Sequence, residues 1–255
     1  MTELFGVPLD WRLAMVTASV VLGGFLRGFV GFGGALVSVP VLSLAFGPHM
    51  ALAVSSVMSL PSTFQLLPDA IRHAERPVVV PMGIAVLLTA PIGMWIHMSV
   101  SQGLMKIVIS GLVVAMTLML ASGWKFKGAI GKPALVAAGI AGGLIQGSAG
   151  IGGPPVVAIA LSRPGGAVSQ RGTVLGVMTS IGVASLLPLA WYGLFTRASV
   201  VLGALLLPVY MVSVAFGSRY FALGGHAHYR RAALATLLAV GLTTMVVAVR
   251  GYVAG

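Results

Sequence analysis

The apolar run from Trp11 to Phe46 is too long to be one membrane-crossing helix. At 1.5 Å per residue it would measure roughly 54 Å, nearly twice the ~30 Å of a bilayer's hydrocarbon core. Something inside the run must break it, and the sequence offers GFVGFGGALV, from Gly28 to Val37. The chain writes this motif again 119 residues later, as GSAGIGGPPV from Gly147 to Val156, inside the other over-long run, Ala134–Leu161. Over Gly23–Val39 and Gly142–Ala158 every glycine of one window has a partner in the other, six pairs in all. A coincidence of that kind points to a duplicated unit.

The remaining apolar runs are Met50–Leu67, Val78–Met98, Leu104–Ala121, Ser169–Tyr192, Ser199–Phe221 and Ala232–Val253, each close to the ~20 residues that span a bilayer. With 58% hydrophobic and 7% charged residues, against roughly a quarter charged in a soluble domain, the chain reads as an all-α integral membrane protein. A net charge of +11 in a soluble protein would suggest nucleic acid. Here the basic residues sit in short gaps between apolar runs, the pattern of cytoplasmic loops beside anionic headgroups, so membrane lipid and not nucleic acid is the expected surrounding. The absence of cysteine excludes disulfides and thiolate chemistry. No basic region precedes the first apolar run, so no cleaved leader is expected.

A break can leave a bent helix that crosses once, or turn the chain back as a hairpin. Loop charge separates the two. If each break turns the chain back, one membrane face receives Arg72, Arg76, Lys125, Lys127, Lys132, Arg163, Arg171, Arg219, Arg230 and Arg231, ten residues against four, Arg12, Lys106, Arg197 and Arg250. Single bent crossings divide the same cations eight to six. The positive-inside bias therefore selects the hairpins and places both termini outside the cytoplasm. Each half then crosses an odd number of times, so the second inserts upside down relative to the first. The expected fold is two inverted repeats, residues 1–122 and 134–255, each a glycine-broken helical hairpin followed by three transmembrane helices, joined by a basic cytoplasmic linker at 123–133. Secondary transporters have this design, with substrate held near the midplane where broken helices meet.

The site expected there binds an anion. Gly31, Gly33, Gly34, Gly150, Gly152 and Gly153 suit a tight reversal, whereas Gly23, Gly24, Gly142 and Gly143, ahead of the break, suit close helix packing. After each break a helix restarts with unpartnered N–H groups and about half a positive charge. Pro154 fits such a start but removes a donor, leaving Gln146 and Ser148 to add polarity. Arg27 has no acidic neighbour in sequence, and a lone intramembrane arginine requires a cavity, a partner or a ligand. Its counterpart is Gln146, so the site should be lopsided. Ser55, Ser56, Ser59, Ser62, Thr63, Gln65, Thr179, Ser180 and Ser185 can line a path or join helices. His97 is expected at an interface, His226 and His228 in a basic loop without metal, and Asp69 and Glu75 beside Arg72 and Arg76 in a solvated loop.

No Asp or Glu falls inside an expected span, so carboxylate-based Na⁺ or proton coupling has no residue to use. The glycine runs lack the Gly-Lys-Ser/Thr ending of a P-loop and the acidic residue of a dinucleotide fold. Catalysis, cofactors and metals are therefore not expected.

The paired glycine motifs, the polar second span and Gln170-Arg171-Gly172-Thr173 ahead of the span after the second hairpin resemble the TauE/SafE family of sulfite exporters, also called toluene-sulfonyl uptake permeases. The resemblance runs from Trp11 to Val253. Gly28, Gly31, Gly33, Gly34, Gly147, Gly150, Gly152, Gly153 and Pro154 match the family pattern, which implies transport of sulfite or organosulfonates. The expectation is a cell-membrane secondary transporter of small anions working by alternating access, with homo-oligomers permitted. An anion channel and a non-transporting scaffold subunit are the alternatives.

Overall fold

The computed structural model describes residues 3–4, 7–8, 11–122, 130–162, 166–223 and 229–253. Apart from a short antiparallel ladder, β1 (Glu3–Leu4) on β2 (Val7–Pro8), the described chain is helical. In order it forms α1 (Trp11–Val30), α2 (Gly34–Phe46), α3 (Pro48–His73), α4 (Arg76–Ser99) and α5 (Gln102–Ala121). These are followed by α6 (Lys132–Ala149), α7 (Gly153–Ser162), α8 (Ala167–Trp191), α9 (Arg197–Ala222) and α10 (Tyr229–Val253). The expected linker lies largely in residues 123–129, outside the described residues together with Lys125, Lys127, Arg163, His226 and His228. Its end does not hold, because Lys132 and Pro133 already belong to the first turn of α6.

Each over-long run breaks at its glycine motif. α1 ends at Val30, Gly31 donates back to the Arg27 carbonyl at 2.9 Å, and Gly33 stands at φ 96° immediately before α2. At the second break Gly150 donates to the Gln146 carbonyl, also at 2.9 Å. In both cases the chain doubles back, so that Gly23 of α1 faces Gly34 of α2 and Gly142 of α6 faces Gly152. Positive φ is confined to Gly31, Gly33 and Gly150 among the break glycines. Gly34, Gly152 and Gly153 keep ordinary dihedrals, contrary to the expectation for them. Gly152 is small for lack of space, since a Cβ there would strike the Gly142 carbonyl and Gln146.

The helices of the two halves interlock. α1 packs along α9 and α6 along α4, each pair running parallel. A Cβ on Gly28 would meet the Val214 carbonyl, and one on Gly217 the Phe25 carbonyl; in the other pair Gly147 meets Ala90 and Gly93 meets Leu144. The second set is the first with the partners exchanged between halves, since 28, 25, 214 and 217 become 147, 144, 90 and 93. Backbones come this close where small residues line the seam, as in membrane helix pairs generally. The counterparts α3 and α8 lie side by side and antiparallel, with Thr63 near Gly182 and His73 near Gly172.

Prolines start α3, α4 and α6, where a missing N–H costs nothing. α9 is capped by Thr196, whose hydroxyl accepts from the Ser199 N–H at 3.2 Å. Large apolar side chains such as Leu88, Trp95, Leu187, Trp191 and Phe216 cover the outside, which a water-soluble protein does not tolerate over so wide an area. Among the described residues, six helices are long and apolar enough to cross a membrane.

Gly147→Ala should lower the melting temperature of the detergent-purified protein, because the new methyl separates α6 from α4 at a cost of about 1–3 kcal/mol. Gly111→Ala, where nothing lies within 4 Å, should match or exceed wild type. A thermal melt of both variants checks the pair.

Candidate anion-binding site

Between the two hairpins lies an internal cavity of about 80 Å³, enough for a few water-sized groups. Its lining includes Arg27 at the end of α1, Gly33, Gly34, Ala35 and Leu36 at the start of α2, and Gly150, Ile151, Gly153 and Pro154 at the second break. Ser55, Ser56, Ser59 and Thr63 of α3, Ser185 of α8, Gln146 of α6 and Tyr210 of α9 complete its polar wall. Of the ten expected site residues, seven thus converge. Gly31 packs instead on Val174 and Leu175 of α8, Ser148 turns its hydroxyl to the Leu144 carbonyl at 2.8 Å, and Gly152 faces Gln146 within its own hairpin.

The cavity is electrically one-sided. Arg27 donates from Nη2 to the Thr63 hydroxyl at 3.3 Å, its Nε is buried without a partner, and no carboxylate pairs with it among the described residues. A second orphan, the Ser55 hydroxyl, belongs to another lining residue. Buried polar groups without partners are rare in folded proteins, and two in one cavity mark it as a place for something polar. The α2 N-terminus adds to this, because Gly33 supplies no side-chain cap and the first N–H groups of the helix have no intrahelical acceptor. The facing hairpin is already satisfied: Gln146 accepts from the Gly152 N–H at 3.0 Å and donates to Ser185 at 2.9 Å. Pro154 and Pro155 carry no N–H. The unpaired cation and the uncapped helix start therefore both belong to the first hairpin, with Gln146 fixing the second.

Tyr210 escaped the sequence reading. It is buried on α9, its hydroxyl set against Gly34. The available signal was a tyrosine in mid-run, where its hydroxyl has to find a partner, unlike one at the end of a span.

Two other expectations fail near the cavity, and a third residue has a partner that the sequence did not show. Arg171 is not a loop cation but a buried residue of α8, donating to Asp69 at 2.9 Å, to the Gly28 carbonyl at 2.8 Å and to Ser218 at 3.3 Å, with its guanidinium 4.5 Å from the Phe221 ring. Asp69 accordingly lies within α3 and pairs across to α8, not in a solvated loop with Arg72. His97, in the last turn of α4, is fully buried among helices and donates from Nδ1 to the Ser148 carbonyl at 2.7 Å. Asp69 lies beyond its apolar run because α3 continues to His73, whereas Arg171 and His97 lie within theirs; each of the three meets a partner distant in sequence.

The sulfite exporter TauE/SafE family matches residues 16–244 of this chain. The chain belongs to that family. A protein of Cupriavidus necator described as a probable sulfite/organosulfonate exporter TauE is 25% identical over 245 residues, covering 91% of this chain and 93% of that one. No solved structure matches. Family and helices together make this a multi-pass membrane transporter, not an enzyme.

Arg171→Gln loses the ion pair and the brace on Gly28 while leaving Asp69 without a cation. Since Asp69 is 46% exposed, water offsets part of the loss, and about 2–3 kcal/mol of stability should disappear. Arg171→Lys should recover less than half, because an ammonium cannot hold the carboxylate and the carbonyl in one plane. Thermal melts of the two variants read this directly.

Proposed function

We propose that this protein carries a small sulfur oxyanion, sulfite or an organosulfonate, across the cell membrane by alternating access between inverted halves. The observation that carries the reading is Arg27, a cation without a carboxylate, lining a cavity of about 80 Å³ beside the uncapped start of α2. A sulfonate group suits that setting: one guanidinium fork takes two of its oxygens, and helix N–H groups take the third. Similarity to the Cupriavidus necator protein favours sulfur oxyanions over others. The anion site consists of Arg27 with Gly33 and Gly34, held opposite Gln146, Gly150, Gly153 and Pro154.

The two repeats, residues 1–122 and 134–255, are inverted in the membrane on this reading, and the antiparallel placement of α3 against α8 supports it. Removing Arg171 from the loop cations leaves nine of the original ten against four, so the bias survives its burial. Both termini are then extracytoplasmic and the linker cytoplasmic. Motion of one hairpin against the other opens the cavity to alternate sides.

Arg27→Gln makes the halves alike at this position. Loss of the forked contact should weaken sulfonate binding by on the order of 2–3 kcal/mol, roughly 30- to 150-fold, with an unchanged melt, and Arg27→Lys should recover part. Isothermal titration of the purified variants decides it, and binding within about twofold of wild type would make Arg27 structural.

Topology has its own test. Single cysteines placed in this cysteine-free chain should react with an impermeant thiol reagent in intact cells at either terminus and stay protected between Lys125 and Lys132. The reverse pattern would overturn the orientation.

A further inference from the structure

Each hairpin's first arm, α1 or α6, ends in apolar surroundings with carbonyls that the helix itself cannot satisfy. One is taken by the glycine that closes the turn, Gly31 or Gly150. A second is taken by a side chain from elsewhere in the fold, and here the two hairpins differ. The Gly28 carbonyl of the first accepts from Arg171, a permanent cation. The Ser148 carbonyl of the second accepts from His97, a group whose charge depends on pH.

His97 does not stand alone. Its Nε2 lies 2.8 Å from Nδ1 of His49, the rings 4.9 Å apart and edge to face. A carbonyl can only accept, so His97 Nδ1 carries hydrogen, and in the neutral ring Nε2 is then the acceptor. His49 therefore donates from Nδ1 and keeps the lone pair on Nε2. His49 also lines a separate surface pocket of about 170 Å³ with Gln102 and Thr196. The row runs from that pocket through two imidazoles to the tip of the second hairpin, and Met94, Gly147 and Gly150, flanking its inner end, line the anion cavity.

We propose that His49 and His97 form a proton-binding site coupled to the anion cavity, so that proton and anion are bound together. This rests on the anion-binding reading above. A proton entering from the surface pocket adds to His49 Nε2, giving an imidazolium. Its Nδ1 hydrogen then crosses the 2.8 Å bond to His97 Nε2, leaving His49 neutral and the charge on His97. There the relay stops, because the Ser148 carbonyl has no hydrogen to pass on. The pair is thus a site that holds one proton, not a wire through the protein. A cation at the end of α6 also lies in the favourable direction of the helix dipole.

Among the described residues no other ionisable group lines the histidine pocket, and Arg12 and Lys106 line a neighbouring one. α6 carries only Lys132, at its far end, and α2 carries no ionisable residue. Lys106 of α5 and Arg197 of α9 do not line the histidine pocket. On α3 and α8, Asp69 and Arg171 pair with each other some 20 residues, roughly 30 Å of helix, from His49. Ser148 lies beside cavity residues, so a positive charge on His97 strengthens anion binding, and by linkage the anion strengthens proton binding.

Ethanesulfonate is the probe, a strong-acid anion whose own charge is unaffected by the pH change. Isothermal titration of the purified protein at about pH 5.5 and about pH 8 should give at least fivefold tighter binding at the lower pH, with heats that vary with buffer ionisation as a proton is taken up. His97→Asn keeps an N–H for the Ser148 carbonyl but cannot be protonated; it should bind within about twofold of wild type at pH 8 and lose the pH dependence. Wild-type affinity that is flat with pH, or a variant that keeps the dependence, overturns the proposal. Should wild type bind no ethanesulfonate at all, the anion reading has failed, and nitrogen NMR of labelled histidines decides the proton site separately. One proton per pair, bound within about 1.5 units of the ordinary imidazole range and altered at His49 by His97→Asn, supports it, and two rings that stay neutral throughout refute it.

Discussion

A helix that stops and turns inside an apolar protein leaves backbone groups that water would otherwise satisfy, and the cost of each is several kcal/mol in hydrocarbon. The structure solves this problem twice. At each turn one carbonyl goes to a turn glycine and another to a side chain brought from a distant helix, Arg171 on one side and His97 on the other. The N–H groups on the far side of the turn are treated differently: at the second hairpin Gln146 takes one and prolines remove others, while at the first they face the cavity beside Arg27. The site is thus what remains after the turns have been satisfied.

Those turns hold their places because the arms leading into them are clamped. The glycine seams of α1 on α9 and α6 on α4 bring backbone against backbone, a geometry that permits little sliding since any side chain would collide with a carbonyl. Each seam joins an arm from one half to a crossing helix of the other. The halves are therefore packed into one body, and neither hairpin moves without disturbing the seam that anchors it. Sliding along such seams is the kind of shear by which packed helices shift between two arrangements.

Much of this was legible in the sequence because length and glycine spacing are hard constraints. A run of 36 residues cannot cross once as a straight helix, and six matched glycines cannot be placed by one half alone. Arg27 and Gln146 were legible because a polar group beside a break has few fates. What could not be read was set by contacts between residues far apart in the chain. Asp69 and Arg171 are 102 residues apart, and nothing local marks either as the other's partner. His49 and His97 each look ordinary near the end of a span; only the fold brings their rings together. Of the break glycines, sequence marked the turn but did not separate those needing positive φ, such as Gly33, from those needing space, such as Gly152.

On the repeat reading the chain holds two copies of one scaffold, and the polar residues show how far the copies have diverged. Spacing differs little, 119 residues at the motifs and 124 at Gly93 and Gly217, and the glycine seams make matching contacts. The side chains that meet those seams have not stayed alike. Arg27 became or remained the cation where Gln146 is neutral, and His97 stands where the matching position, 124 residues on, is Phe221, the ring beneath Arg171. A symmetric scaffold supplies two equivalent gates, whereas transport with direction needs gates that respond to different things. On the proposed reading the turn of the first hairpin is met by permanent charge, its own Arg27 and Arg171 from α8, and answers to the anion, whereas the turn of the second is met by charge only when His97 is protonated. An inequality of that kind lets a proton bias one gate without acting equally on the other, since a ligand with no preference between two states shifts neither.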